Sequence, residues 1–337
     1  MNIVIIGAGI GGLCLAQGLN RAGIPATVYE RGYGQGQGWR VSIKDEGSQA
    51  LHACLPEELF NEIRADALLP ASRLVFTDHL LNPKFSKPIP PVEGHFGISR
   101  QRLRDLLKTG LDVRFGQQCV GFAGNTAHFA DGSTATGDLL VGADGTRSVI
   151  RAQLLPEAAF EDLGTALYGV TPFTTLDGVP EVLVHTFNRI TDPAGTAMAI
   201  ATCRPGDYFT WTITPADGAI DGWHPAVRRI VAEARTTFPV RLRSALPIEP
   251  WHDPHVTLLG DAIHTMTPGR GDGANTALHD ARLLTTVLSE VAAGRVPLGP
   301  AKQLYEQEML WYGFAAVATS RSTPFTPRTG SPQGPRL

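Results

Sequence analysis

Cysteine is scarce in this chain and scattered. Cys14, Cys54, Cys119 and Cys203 form no CxxC pair, which excludes a readable zinc site or a disulfide framework. Cys14 falls on an apolar helical face and reads as a space filler. An excess of one charge is also missing: the formal net charge is −3, with Lys and Arg spread along the sequence. That leaves no electrostatic footprint for nucleic acid or an anionic membrane surface. No run of about 18 apolar residues occurs, so no membrane span is expected, and the first residues spell a strand rather than a charged and then apolar leader. The expectation is a soluble, cytoplasmic protein whose partners include neither nucleic acid nor membrane. At 337 residues the chain can bury a sizeable core in one large or two intimately joined domains.

What the sequence does contain is one junction, strand then acid or glycine turn then helix, written three times. Asn2 to Ile6 is a continuous β-branched run without polar alternation, the pattern of a strand buried on both faces of a parallel sheet. It breaks at Gly7-Ala8-Gly9-Ile10-Gly11-Gly12, and Leu13, Leu15, Ala16 and Leu19 then repeat at helical spacing up to Gly23. A second strand, Ala26 to Tyr29, ends at Glu30, placed to accept ribose hydroxyls of an adenosine. Gly7 permits the turn, Gly9 lets backbone approach a pyrophosphate, and Gly12 allows close helix-to-sheet packing. With strand, helix and acid all present, dinucleotide binding is the reading favoured over a plain glycine turn with a surface Glu30.

The second junction is Asp138 to Arg151, where a buried strand ends in Gly142-Ala143-Asp144-Gly145 and a helix starts near Ser148. Taken alone, Asp144 reads equally well as a helix cap. The third is Val256 to Ala281: a short strand stops at Gly260-Asp261, and after Pro268 the run Gly269-Arg270-Gly271-Asp272-Gly273 feeds a helix from Ala274 through Leu288. A helix start behind a glycine loop offers free N–H groups and a positive dipole end to an electron-rich ligand.

Between the junctions, Trp39 to Ile43 is expected as a strand. Its Arg40 is a candidate ligand for phosphate, ribose or substrate, or a solvated edge charge. Helices are expected over 45–53 and 56–68, and strands over 73–77 and 95–98 enclose a proline-rich surface excursion, 83–91. Ser99 is a natural cap for a helix over 100–109, which holds Arg100 near the ligand edge of the sheet. Residues 111–115 return to the nucleotide-binding sheet, and 118–122, 127–129 and 134–136 make an antiparallel meander. From 166 to 214 strands at 182–187, 197–202 and 208–214 form a second sheet, whose Phe173, Phe187, Phe209 and Trp211 either line an apolar cavity or fill a core. A helix over 226–237 and a last helix over 300–319 follow. The glycine- and glutamine-rich stretch 32–38 is expected to be ordered by ligand, and 323–337 to be a disordered tail.

The ordered trio, Gly7 to Gly12 with Glu30, then Asp144-Gly145, then Gly260-Asp261, resembles the three signatures of the single-component, class A flavin-dependent aromatic hydroxylases. Pro268 to Leu278 is especially similar to the branch acting on polyketide or antibiotic-like substrates. The resemblance implies an α/β fold: a Rossmann-like FAD-binding domain of aromatic-hydroxylase type (1–72, 99–160 and 250–295), with an inserted antiparallel substrate sheet (73–98 and 161–249) and a C-terminal helix (296–320). It implies non-covalent FAD on Gly7, Gly9, Gly11 and Gly12, on Glu30, Arg31, Arg40, Arg100 and Asp144, and on Gly260, Asp261, Gly271, Gly273, Ala274 and Asn275, with Pro268 and Gly271 near flavin C4a. It further implies that NAD(P)H as co-substrate reduces the flavin, O2 adds at C4a, and the hydroperoxide hydroxylates or epoxidises an aromatic or polyketide-like small molecule. No protein nucleophile is required, and His264 reads as structural rather than as a base. Asp272 departs from the glutamine or small residue common in the family, and is expected to point away or pair with Arg270. The short stretch between Arg151 and Val256 implies a small substrate sheet. The chain is expected to be a monomer or weak homodimer. An FAD-binding scaffold or non-redox cyclase of the same fold is the alternative; a nicotinamide dehydrogenase leaves Asp144 and Asp261 without a role.

Overall fold

The computed structural model describes residues 1–33 and 40–322. Trp39, most of the glycine-rich stretch and the expected C-terminal tail lie outside the described residues. The chain opens with β1 (Ile3–Ile6), α1 (Ile10–Arg21) and β2 (Ala26–Glu30), the strand, turn, helix and strand that the glycine run demands. Then come β3 (Arg40–Ile43), α2 (Asp45–Cys54), α3 (Glu57–Ala65), β4 (Arg73–Asp78), β5 (Pro83–Pro88) and β6 (Phe96–Ser99). Helix α4 (Arg100–Leu107) starts where the Ser99 side chain accepts from the Arg102 N–H, and its leucines face the core. Strand β7 (Val113–Phe115) precedes the meander β8 (Cys119–Ala123), β9 (Thr126–Phe129) and β10 (Thr134–Thr136). Next are β11 (Leu139–Gly142) and α5 (Val149–Leu154), then β12 (Phe160–Pro172), β13 (Thr186–Thr191), β14 (Ala197–Cys203), β15 (Tyr208–Thr214), α6 (Pro225–Ala232) and β16 (Thr236–Ala245). The chain closes with β17 (Val256–Leu258), α7 (Asp261–His264), α8 (Gly273–Ala292) and α9 (Leu298–Ser322).

Five strands make one parallel sheet in the order β17-β11-β1-β2-β7. Strands β1, β11 and β17 are buried at every position, as continuous apolar strands covered on both faces must be. Helix α8 crosses α1 closely where Gly11 meets Ala277 and Leu259, and where Gly18 meets Thr285. All three junctions therefore lie at the carboxyl edge of one sheet, on neighbouring strands.

The second sheet differs from the sequence reading. It has seven strands, β16-β12-β15-β14-β13-β4-β5, and is not small. Two additions explain this. The proline-rich excursion contains β5, an edge strand on β4, where Pro83 and Pro88 sit at the strand ends and the register shifts between Phe76 and Thr77, beside Pro83. The helix expected to 237 stops at Ala232, and β16 begins four residues later. Thr236 to Ala245 alternates in burial with period two, a strand pattern hidden by the preceding helical run. The strand expected from 182 starts at Thr186, after a 3-10 turn over Glu181–Leu183. Strand β6, inside the 73–98 segment, pairs with β3 rather than joining this sheet.

Alternation sorts the aromatic side chains of this sheet onto two faces. Phe209 and Trp211 are core residues, packed with Ile190, Met198 and Ile200 beneath α6, and the Phe173 ring meets Phe209 at a 45° tilt. Phe187 is on the other face, under the Arg189 guanidinium. The cavity reading thus fails for Phe173, Phe209 and Trp211 because their face carries α6. Gly169 lies directly under the Trp211 ring, so that a Cβ there would overlap the indole. Gly169→Ala is expected to lose about 1–3 kcal/mol by overpacking, read as a lower midpoint in thermal denaturation.

Candidate active site

In the first turn each glycine has a separate reason. Gly7 has φ +112° and lies so near Ala143 that any Cβ would enter the Ala143 carbonyl; a Cβ on Gly12 would enter the Gly7 carbonyl. Gly9 has no such neighbour: its nearest atom would be the Ala143 oxygen at 4.0 Å. Nothing inside the chain demands a glycine there, so its smallness serves something approaching from outside. Glu30 at the end of β2 accepts from the Ala8 N–H at 2.9 Å and the Gly32 N–H at 2.9 Å, which fixes its carboxylate at the lip of the turn. Arg31 is exposed beside it.

One residue of this turn escaped the sequence reading. Arg104 is buried and its Nε donates to the Ala8 carbonyl at 3.0 Å. The only signal was its place four residues after Arg100, on the inward side of a helix otherwise faced with leucine. Arg100 is the electrostatic link to the third junction. Burial lowers its guanidinium, Asp261 opposes that, and Arg104 reinforces it. Its Nε is buried without a hydrogen-bond partner among the described residues.

Asp144 accepts from the Val149 N–H, the first of α5, at 2.8 Å through Oδ2, while the cap itself is Ser148, which accepts from the Arg151 N–H at 2.9 Å. The Asp144 Oδ1 is buried without a partner among the described residues, and burial pushes the carboxyl up against the pull of Ser148 and the backbone. Arg151 ties this junction to the next, donating to the Ala262 carbonyl at 2.8 Å and the Thr146 carbonyl at 3.0 Å.

Asp261 opens α7 after Gly260, which takes φ +66°. The residue is solvent-exposed, yet burial is the leading cause of its raised pKa, with Arg100 and His264 pulling the other way and Asp280 adding to the rise. Exposure of the surface together with enclosure by surrounding protein describes the floor of a cleft. Gly273, the first residue of α8, faces the same floor: a Cβ there would sit 3.7 Å from Asp261 Oδ1. The N-terminus of a 20-residue helix thus opens beside the strand-end carboxylate. Gly271 is left-handed at φ +69°, next to Ser42 of β3. Pro268 begins the 3-10 turn Pro268–Arg270 and is exposed.

The Asn275 side chain is spent within the protein, donating to Ser42 and Gly271 carbonyls and accepting from the Lys44 N–H at 2.8 Å. It shapes the loop, and any ligand contact there falls to backbone such as that of Gly273 and Ala274. Asp272 pairs with Arg270 as expected, at 3.0 Å, and also with Lys44. Two cations neutralise the carboxylate that departs from the family pattern. Arg40 lies across Gly97, its Nε 2.9 Å from where a Cβ would be.

His264 is fully buried beneath the cleft floor, which removes it as a base for a bound substrate. Its Nε2 meets Asp280 Oδ2 at 2.7 Å; the same oxygen accepts the Gly260 N–H at 2.7 Å, and Oδ1 accepts the Tyr312 hydroxyl at 2.6 Å. Burial pulls the imidazole down, but the charge and hydrogen bond of Asp280, with Asp261 adding, raise it overall above 6.5. A raised histidine contributes stability in full below the unfolded value, and that contribution disappears as pH climbs through the folded one. His264→Leu is therefore expected to cost about 3–5 kcal/mol at the acid end. The deficit should shrink with rising pH in paired thermal melts between about pH 5 and pH 9; a pH-independent deficit would contradict the charged pair.

The second sheet approaches this cleft through Arg189, whose Nη2 donates to the Gly269 carbonyl at 2.8 Å. Burial depresses that guanidinium to about 9, with Tyr168 opposing, while burial pushes Tyr168 up to about 12. A separate cavity of about 620 Å³, lined by Asp45, His52, Phe60, Arg64 and Glu93 among others, contains no residue of the three junctions.

Comparison with known proteins agrees with this geometry. A family profile described as an FAD binding domain matches residues 103–299, more than half of the chain. The FAD-dependent monooxygenase dbaB of Emericella nidulans is 31% identical over 84% of this chain and 85% of its own length. The dual O-methyltransferase/FAD-dependent monooxygenase elcB of Phaeosphaeria nodorum is 29% identical over 86% of this chain, which spans only 40% of that protein. A crystal structure from Photorhabdus luminescens, described as an FAD containing monooxygenase, superposes with a TM-score of 0.81 at 31% identity, over 96% of this chain and 97% of the other. Among the described residues no helix is long and apolar enough to cross a membrane. The chain belongs to the FAD-binding family of flavin-dependent monooxygenases.

Proposed function

We propose that this protein is an FAD-dependent monooxygenase that uses NAD(P)H and O2 to hydroxylate or epoxidise an aromatic or polyketide-like small molecule. The observation that carries the reading is the convergence of three strand-end carboxylates on one sheet edge, with Asp261 facing both Arg100 and the open N-terminus of α8. The residues present fit the coenzyme: Gly9 leaves room that the fold does not use, and Arg100 Nε and Asp144 Oδ1 are buried polar atoms awaiting partners among the described residues.

Residues 1–72, 99–160 and 250–295 would hold FAD, and 73–98 with 161–249 would cover the substrate. Backbone at Gly7, Gly9, Gly11 and Gly12 would take the pyrophosphate at the α1 N-terminus, and Glu30 the ribose. Bound FAD supplies electron transfer from the nicotinamide and activation of dioxygen. The protein's part is binding, orientation and exclusion of water. The N–H groups of Gly273 and Ala274, with the dipole of α8 behind them, would stabilise negative charge in the cofactor's ring system without reorganising. Lys44 and Arg270 keep Asp272 from opposing that effect. Pro268 and Gly271 would border the reacting edge, with the Arg189 tie to Gly269 holding their turn.

The purified protein is expected to be yellow and to oxidise NAD(P)H faster when a suitable phenolic or polycyclic substrate is added. Asp261→Ala should weaken FAD retention about tenfold or more while leaving the melting midpoint of the apoprotein near that of the apo wild type. Colourless protein that takes up no FAD would overturn the reading. Bound FAD without NAD(P)H-dependent oxygen uptake would favour the scaffold or non-redox cyclase instead.

A further inference from the structure

Helices α1, α2 and α8 meet around two thiols. Cys14 of α1 is fully buried, and Cys54, the last residue of α2, is 1% exposed. On α1, Cys14, Gly18 and Arg21 follow one another by four and three residues and so share one side of the helix. Two contacts show what that side faces. Gly18 lies against the Thr285 side chain of α8, and Arg21 Nη1 donates to the carbonyls of His52, Ala53 and Leu55 at 3.1, 2.8 and 3.1 Å. The arginine thereby holds the end of α2 against α1, and Cys54 sits between two of the residues so held. The sulfurs meet there: the Cys14 thiol is hydrogen-bonded to Cys54, and Cys54 also contacts the Thr285 hydroxyl.

The two members of the pair are not equivalent. Their mutual hydrogen bond, then burial, push the Cys14 thiol well up. The same hydrogen bond brings Cys54 down against burial, with Thr285, Arg282 and Arg21 in support. Cys14 is thus the member that keeps its proton and donates it, and Cys54 the member that ionises. A thiolate is the form that attacks an electrophilic oxygen, and a second thiol in contact is what the first oxidation product then meets. The other two cysteines have no such neighbour: Cys119 donates to the Gly121 carbonyl at 3.4 Å, Cys203 contacts Tyr208, and burial raises both.

We propose that Cys14 and Cys54 form an oxidative modification site, at which a peroxide joins them in a disulfide that staples α1 to α2. The Cys54 thiolate takes one oxygen from H2O2 and expels hydroxide, leaving a sulfenic acid. The Cys14 sulfur then gives up its proton, attacks Cys54 Sγ and expels the second hydroxide. Two thiols and one peroxide become one disulfide and two waters; sulfur is oxidised and peroxide oxygen reduced. The way in is the end of α2, where His52 and Ala53 are exposed and one arginine closes the core behind them. Both stapled helices frame the cleft. Helix α1 starts at the first glycine turn, and α2 starts beside Lys44, whose N–H and ammonium hold Asn275 and Asp272 at the start of α8. The proposal does not need the monooxygenase reading, which only gives the peroxide a source in dioxygen reduced by two electrons.

The test adds H2O2 to folded, full-length protein that has first been reduced, then counts thiols in denaturant and maps the tryptic peptides. Titratable thiols should fall from four to two, the Cys14 and Cys54 peptides should appear as one linked species, and dithiothreitol should restore all four. The crosslink closes a loop of about 40 residues, so the oxidised protein should melt about 5 °C or more above the reduced one. Cys14→Ser should leave Cys54 as a sulfenic acid that dimedone captures, whereas Cys54→Ser should leave Cys14 unmodified at the same dose. Folded wild type that keeps four thiols, that oxidises Cys119 or Cys203 as fast as the pair, or that links Cys14 to Cys54 only after denaturation would overturn the proposal. So would a linked protein that melts no higher than the reduced one, because the two helices would then not be stapled in their native positions. Peroxide is added directly, so the disulfide can form in protein that never consumes oxygen with NAD(P)H, and can fail to form in protein that does.

Discussion

A backbone contact with no space for a single methyl group sets the geometry of this protein. Gly7, at the end of β1, lies against Ala143 and Asp144 at the end of β11, and Gly12 of the following helix closes over Gly7. Parallel neighbours in a sheet bring their carboxyl ends to one edge, but side chains normally keep the turns beyond them apart. Here glycine removes that barrier, so the first and second junctions touch, and Arg151 fastens the second to the third. The cleft is the space left where three turns crowd one edge.

The third turn is held from below by one carboxylate. Asp280 is wholly buried and accepts from Gly260, His264 and Tyr312, which come from the β17 end, α7 and α9. An uncompensated buried anion would be costly, and the raised imidazole of His264 supplies the counter-charge. The arrangement explains why the side chain of a histidine so close to the cleft is buried beneath it. It also explains why Asp261 can stand exposed on the floor: its turn is fixed by partners behind it.

Arg189 reaches Gly269, Leu69 reaches Arg204, and the Ala245 N–H reaches the Thr265 carbonyl, so the second sheet is attached to the first at the turn, at the seam and beside α7. The inner face carries Ala199 and Ala201 beside Arg189, Phe187 and Phe76, while the large aromatics Phe209 and Trp211 are turned the other way beneath α6.

The strands, the glycine turns and the acids that end them were legible in the sequence because each is a local pattern: a β-branched run, a break in it, and a change to helical spacing. Those patterns carried the parallel sheet, the cap at Ser99, the meander and the cofactor family, but named Asp144 rather than Ser148 as the cap of α5. They could not carry β16 and β5, since a strand beside a helix or among prolines gains its identity from the neighbour it pairs with. Nor could they reveal which face Phe209 and Trp211 take, the inward turn of Arg104, the three bonds of Asp280, or the seat of Arg40 across Gly97. Side-chain direction at those positions depends on partners from 16 to 96 residues away, and only the packed chain brings such partners within bonding distance.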